Sequence, residues 1–347
     1  MAAPASPVNA ALQFKREATW GTDIAATKRM GVRLLEPDIA VGAILSGNMS
    51  GSRVRTGIAK GGHKARFTFE TDMEYVNGAT DPNGYCTLHD LIMGSTTFGT
   101  YAGAVSGSGP YIHEFTNKSV MNSATMELID GYPGAASTKC LQITGCKVEE
   151  AELSFGWSFD GEEHIPKWRV TMVGKTASPD TAFTDRSATP MQTPDIISSK
   201  HCVVADGVLS PATSAYFSVK IKIKNNLYTE GFSSLSDYIT EPVALNFLEA
   251  TIELEADYDS YTLLSNMISQ TASAANIQFA FTRPGAGGTA YIIKALAGYS
   301  KITSHKYSVR PGSPVRQTFV WTPTKDSVNS AIIAQILSAA NLPGSEG

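Results

Sequence analysis

The feature that most constrains this chain is a comb of acids that occurs twice. In "RFTFETDMEYV", residues 66–76, Glu70, Asp72 and Glu74 alternate with the apolar Phe67, Phe69, Met73 and Tyr75. A period of two marks a half-buried strand, apolar on one face and polar on the other. "ATIELEADYDS", residues 250–260, repeats the pattern with Glu253, Glu255 and Asp257. Side chains at i and i+2 on a strand lie ~6.8 Å apart, so neighbouring carboxylates repel by ~0.6 kcal/mol in water and several-fold more when desolvated. Each comb must therefore face water or basic partners.

The likeness extends beyond the combs. Glu70 and Glu253 match at an offset of 183; "TLHDLIMGS" (87–95) then matches "TLLSNMISQ" (262–270) at 175, and "SATMELIDGYPGAASTKCLQITG" (123–145) lies without a gap on residues 276–298 at 153. The falling offsets place 8 and 22 additional residues in the first copy. The first set reads "NGATDPNG", and the second falls in a segment containing "FGTYAGAVSGSGPYIHEF". Both have loop chemistry. Ordered matches with loop-like insertions imply a duplicated unit. Within each copy, residues 86–94 and 261–269 carry apolar side chains at helical spacing, and Val328, Ile332, Ile336 and Leu337 predict a third helix over 327–340. Most other strong segments alternate as antiparallel strands do, as in "YFSVKIKIKNN" (216–226).

Composition narrows the function classes. The chain of 347 residues is 42% hydrophobic and only 17% charged, which leaves weakly polar surface suited to self-association. A net charge of -4 and the lack of a long basic run argue against tight nucleic-acid binding. Cys86, Cys140, Cys146 and Cys202 form no C-x-x-C pair and read as buried thiols, and no segment approaches a membrane span. The six histidines have no metal spacing, and neither a nucleophile elbow nor a phosphate loop is present. The sequence thus predicts a soluble protein that is not an enzyme and uses no cofactor or metal.

Basic strands precede both combs, Arg53 and Arg55 in one copy and Lys220, Lys222 and Lys224 in the other, so cross-strand pairing is one explanation of the acids. The other is that Glu70, Asp72, Glu74, Glu253, Glu255 and Asp257 line a water-filled surface past which a polyanion slides.

The stretch "LQFKREATWGTDIAATKRMGVRLLEPDI" (12–39), through Arg16, Glu17, Thr19, Trp20, Gly21 and Thr22, resembles the opening of the tail tube proteins of long-tailed bacteriophages. The resemblance implies a structural subunit of the virion tail, assembled in the host cytoplasm, whose rings stack into a hollow tube that conducts DNA. Two tube domains per chain imply a homotrimeric, pseudo-hexameric ring. The implied partners are further copies of the chain, tape-measure, tail-terminator and distal tail proteins, and phage DNA that passes without specific binding; no membrane is involved. The expected fold is mainly β: two tandem duplicated antiparallel β-sandwich or barrel domains, each with one short helix, plus a C-terminal helix. The expected boundaries are an N-terminal arm (1–35), domain 1 (36–177), a linker (178–200), domain 2 (201–326) and a C-terminal helix and tail (327–347). The family's stacking loop maps onto residues 226–244, so Tyr228, Phe232 and Tyr238, with Trp20 of the arm, are the candidates for contact between rings. The competing reading is a two-domain β-sandwich adhesin or carbohydrate-binding module with Trp157, Trp168 and Trp321 as sugar platforms.

Overall fold

The computed structural model describes residues 10–45, 58–75, 83–100, 111–117, 121–130, 140–157, 164–180, 197–205, 216–232, 238–257, 262–269, 277–282, 289–295, 300–309, 311, 315–324 and 331–338. The first half of the chain supplies β1 (Ala10–Arg16), β2 (Lys28–Gly31), β3 (Leu34–Leu45), β4 (Ile58–Asp72), α1 (Tyr85–Met93), β5 (Gly94–Thr100), β6 (Tyr111–Asn117), β7 (Ala124–Asp130), β8 (Cys140–Gly156), β9 (Lys167–Gly174) and β10 (Thr176–Asp180). The second supplies β11 (Cys202–Ala205), β12 (Tyr216–Lys224), β13 (Leu227–Tyr228), β14 (Val243–Ala244), β15 (Glu249–Asp257), α2 (Thr262–Ile268), β16 (Ile277–Thr282), β17 (Thr289–Ala295), β18 (Ser300–Ser308), β19 (Arg316–Pro323) and β20 (Ile332–Ser338). The chain is mainly β, and its named strand pairs are antiparallel, as the alternating patterns predict.

The acid-combed strands β4 and β15 lie in one continuous sheet ordered β3-β4-β9-β8-β12-β15-β19-β18. Its left and right halves come from the two halves of the chain, in matching order. The join is the pairing of β8 with β12, from Ser218 opposite Gly156 to Lys224 opposite Glu150. Phe67, Phe69, Val170, Leu153, Ile221, Ile252 and Trp321 bury one face of this sheet, the face opposite the acids.

Strand β8 is long because it serves two sheets. Its beginning pairs with β7 and β10, and β1 and β2 extend beyond β7; from Lys147 onward it pairs with β9 and then β12. The change of partners falls at Gly145, whose φ of 68° is one that a side chain resists. The sequence around Glu17 holds this bend. The buried Glu17 carboxylate accepts from the Gly145 N–H (2.7 Å), the Ser123 hydroxyl (2.8 Å), the Thr125 hydroxyl (2.9 Å) and the Gly21 N–H (2.8 Å). The Trp20 indole N–H donates to the Gly145 carbonyl (3.0 Å), and the Lys175 ammonium lies over the indole. Residues 10–31, expected within an N-terminal arm, are thus built into the first half as β1, β2 and this clamp.

A six-stranded sheet, β11-β16-β17-β20-β6-β5, also spans both halves. Three expectations change here. The predicted C-terminal helix is the strand β20, paired with β17 and β6; its apolar run fits either element, but its isoleucines are β-branched and the strand is covered on both faces. The Gly/Ser-rich insertion read as a loop contributes the hairpin strands β5 and β6 at its flanks; its middle, residues 101–110, lies outside the described residues. The gap-free match of 123–145 to 276–298 is also not kept in register: Met126 faces Ile143, whereas its match Phe279 faces Ile293 instead of residue 296.

The helices fall where the spacing predicts. Leu88, Leu91 and Ile92 of α1 enter the core, and Gly94, at φ 89°, closes the helix with its N–H on the Asp90 carbonyl. His89 is buried on α1 between Phe115 and Trp168, its Nδ1 2.7 Å from the Tyr85 carbonyl oxygen.

Two predictions arise. A Cβ at Gly145 would meet the Trp20 indole nitrogen and the Lys175 side chain at 2.9 Å each. Gly145→Ala should therefore cost about 1–3 kcal/mol from the backbone alone, read as a lower urea midpoint. A midpoint equal to that of the native sequence would show that the bend is not held as described. Second, burial pulls His89 down to about 4 from its ordinary 6.5. The unfolded chain takes up this proton near pH 6.5 and the folded chain does so only near 4. The stability tied to neutral His89 is thus complete above pH 6.5 and lost as pH falls towards 4, with about 2 kcal/mol gone between pH 7 and pH 5. A His89→Gln variant should show a shallower decline in urea midpoint over that interval.

Candidate functional site

The polar face of the long sheet carries charge in rows. On it β8 presents Glu150 and Glu152, β12 presents Lys220, Lys222 and Lys224, and β15 presents Glu249, Glu253, Glu255 and Asp257. Registers set opposite charges side by side: Lys220 faces Glu253, Lys222 faces Glu152, and Lys224 lies between Glu150 and Glu249. The Lys222 ammonium sits 2.7 Å from the Glu150 carboxylate, which raises its affinity for the proton. Arg316 on β19 approaches Glu255 at 3.4 Å.

In the first half the bases come from a different strand than the sequence suggested. The strand opposite β4 on its outer side is β3, which sets Leu34 across from Glu70; Arg53 and Arg55 lie outside the described residues. The bases are Lys167 and Arg169 of β9, opposite Asp72 and Glu70, together with Arg33. Lys167 reaches Glu70 at 3.3 Å and Arg33 pairs with Asp72. Five of the six acids lie on β4 and β15. Glu74 lies beyond β4, where Asn83 donates to it at 2.7 Å and burial pushes its carboxyl up.

The long sheet ends on β3 and β18, which have no outer partner among the described strands. Core-side residues at these edges are left open: Ile39 on β3 is 43% exposed and Tyr307 on β18 is 50% exposed. On the polar face β3 carries the exposed acids Glu36 and Asp38, and β18 carries the exposed bases Lys301 and Lys306. The two free edges are thus opposite in charge.

The segment expected to stack begins at Asn226, whose φ is 48°, and closes with the short ladder of β13 and β14. Tyr228 and Phe232 are exposed, whereas Tyr238 bridges to His63 and Trp20 is docked on Gly145. Sequence reading missed three further exposed apolar residues, Val243, Leu245 and Phe247, the last 88% exposed. The signal was available: an apolar residue at every second position in "VALNF" (243–247), just after a loop-like stretch, where a core has no room for it.

The three tryptophans do not form exposed sugar platforms. No group of three metal-binding side chains occurs among the described residues, Trp168 and Trp321 are buried in the core, and the Trp157 indole N–H donates to the Ser199 carbonyl. No helix among the described residues is long and apolar enough to cross a membrane.

A sheet with two complementary open edges and an exposed apolar crest is the build of a structural subunit that assembles with copies of itself. The chain belongs to the phage tail tube protein family, which it matches over residues 7–323. It is accordingly a structural component of the virion tail that assembles into a tube. No curated protein matches the chain at a significant level.

Because Glu255 pairs with Arg316 and Glu253 lies across from Lys220, replacing Glu253 and Glu255 together by Lys should lower the subunit's stability by about 1 kcal/mol per site, through lost attraction and new repulsion from Lys220 and Arg316. The deficit should shrink in high salt. A urea midpoint unaffected by both changes would count against pairing as the reason for the comb.

Proposed function

We propose that three chains close head to tail into a ring, each contributing two tube domains, and that rings stack into the hollow tube through which phage DNA leaves the capsid. The observation that carries this reading is the continuous sheet whose halves join at β8 and β12. A strand order of β3-β4-β9-β8 followed by β12-β15-β19-β18 makes β18 the counterpart of β8 and β3 the counterpart of β12. Pairing of β18 with the next chain's β3 would therefore repeat, between chains, the contact already made within one. Such a heterologous contact closes a ring when its rotation divides a circle. Lys301 and Lys306 would meet Glu36 and Asp38, and Ile39 and Tyr307 would be covered.

In this arrangement the two halves act as duplicated domains, with residues 178–200 as the connection, and the polar face of the long sheet lines the channel. Glu70, Asp72, Glu253, Glu255 and Asp257 then face the passing DNA. Their pairing with Lys and Arg leaves interleaved rows of both signs, which give a polyanion no extended basic track on which to release counterions and stick. Tyr228 and Phe232, with Val243, Leu245 and Phe247, meet the neighbouring ring. The ends of the tube engage terminator and distal tail proteins, and a tape-measure protein occupies the lumen during assembly.

A ring of three 36.9 kDa chains has a mass of about 111 kDa. Electron microscopy of assembled tubes, reconstructed without imposed symmetry, should show near-sixfold rings that resolve as threefold, because β5 and β6 occur in only one half of each chain. Six chains per ring, or one domain outside the channel wall, would overturn the reading.

A further inference from the structure

The long segment after β12 does not stand free of the chain. It crosses from the second half onto the first and is fastened there at four places. Lys147, on β8, is only 3% exposed, and its ammonium donates to the Glu241 carboxylate (2.7 Å) and to the Pro242 carbonyl (2.9 Å), both in the segment. The Lys64 ammonium donates to the Thr229 hydroxyl (2.7 Å). The ring of Phe232 lies so close over Gly62 that a Cβ there would come within 2.0 Å of it. His63 bridges to Tyr238, with ring centroids 5.6 Å apart.

Lys147 carries most of the consequence. An ammonium withdrawn from water is costly unless a counter-charge and acceptors meet it, and here both acceptors belong to the segment. Lifting the segment would strand a charge in the first half, so the docked position is the one β8 is built to accept. The docked segment also fixes its far end: Asn226 donates to the Phe247 carbonyl (2.8 Å) and to the Glu249 carboxylate (3.1 Å), and the Leu245 N–H donates to the Asn226 carbonyl (3.1 Å). The exposed row Tyr228, Val243, Leu245 and Phe247 is thereby held on a fixed base.

We infer that Lys147 and Glu241 form a latch that sets residues 226–232 and 238–247 as a rigid crest, so that its apolar row is presented to a second copy of the chain only when the second half is seated on the first. Lys147 is a positioning residue: it touches no neighbouring ring and acts through the segment it holds. The inference rests on the proposed stacking role of the crest, but the latch itself can be tested in a single subunit.

The test uses the full chain with Lys147→Met, Glu241→Gln and the double substitution. Hydrogen exchange is measured on dilute, unassembled protein, and tube length is measured by electron microscopy after concentration. Each single substitution should speed exchange of the β13 and β14 amides roughly ten- to a hundredfold, the range set by loss of a charge-assisted hydrogen bond, while β12 and β15 amides keep their protection. The double substitution should add little beyond either single one, since both remove the same contact. Tubes should be short, with unstacked rings. Unchanged β13 and β14 exchange in both single variants, or fully additive effects, overturns the latch. Faster exchange with tubes of normal length upholds the latch and overturns the stacking role of the crest. Should Lys147→Met fail to fold, Glu241→Gln, at a half-exposed position, gives the same two readouts.

Discussion

The bend of β8 at Gly145 is the constraint on which the rest of the structure depends. One strand must leave a sheet shared with β7 and β10 and enter another shared with β9 and β12 without breaking its chain of backbone hydrogen bonds. A left-handed residue allows the turn, and the Glu17 carboxylate and the Trp20 indole take up the N–H and C=O that the turn removes from the ladder. The family-like residues Glu17, Trp20 and Gly21 therefore have a mechanical reason for occurring together. They hold the strand that links both halves.

What the sequence made legible were the features with short periods. Alternation over Phe67 to Tyr75 placed the buried and polar faces of β4 correctly, and the same holds for Ile252 and Leu254 on β15, because strand parity is a local property. The helices near residues 86–94 and 261–269 were legible for the same reason. Pairing partners were only half legible. Lys220 and Glu253 meet as expected, since β12 and β15 are neighbours in the sheet, but the bases of the first comb come from β9, about a hundred residues further along the chain, which no local pattern announces. Residues 332–337 were misread because a mostly apolar run, interrupted only by Gln335, satisfies a helical stripe and a doubly buried strand alike. The place of β20 between β17 and β6 decides between them. The docking of residues 226–232 and 238–247 on Gly62, Lys64 and Lys147 was not legible at all, as it joins groups on separate halves whose types alone do not select each other.

The charge rows on the polar face join local and long-range physics. Each ion pair at this exposure contributes well under 1 kcal/mol, so the pairs do not hold the fold together. Their collective effect is on register. A one-residue slip of β12 against β15 would turn Lys220, Lys222 and Lys224 into the core, and a slip of two would move Lys220 from Glu253 to Thr251 or Glu255 and displace the neighbouring pairs as well. Fixed registers on both sides of β12 are what keep the long sheet continuous from one half to the other.

The two halves are not equivalent, and the difference lies in the six-stranded sheet, to which only the first half adds the β5–β6 hairpin. Within the chain the joints between the second half and the first include β12 on β8, β20 on β6, and the crest on Gly62, Lys64 and Lys147. In the proposed ring, the joint between chains repeats the first of these through β18 and β3. It has no counterpart of the second, because the eight residues between α2 and β16 are too few for a hairpin like that of β5 and β6. Strand β10, which follows β9 as β20 follows β19, then keeps an outer edge without such a strand beside it, and Pro179 within it lacks the N–H that a further strand would need. The ring would thus alternate between joints fastened at both walls and joints fastened chiefly along the lumen, and its threefold character would follow from the insertion that only one half carries.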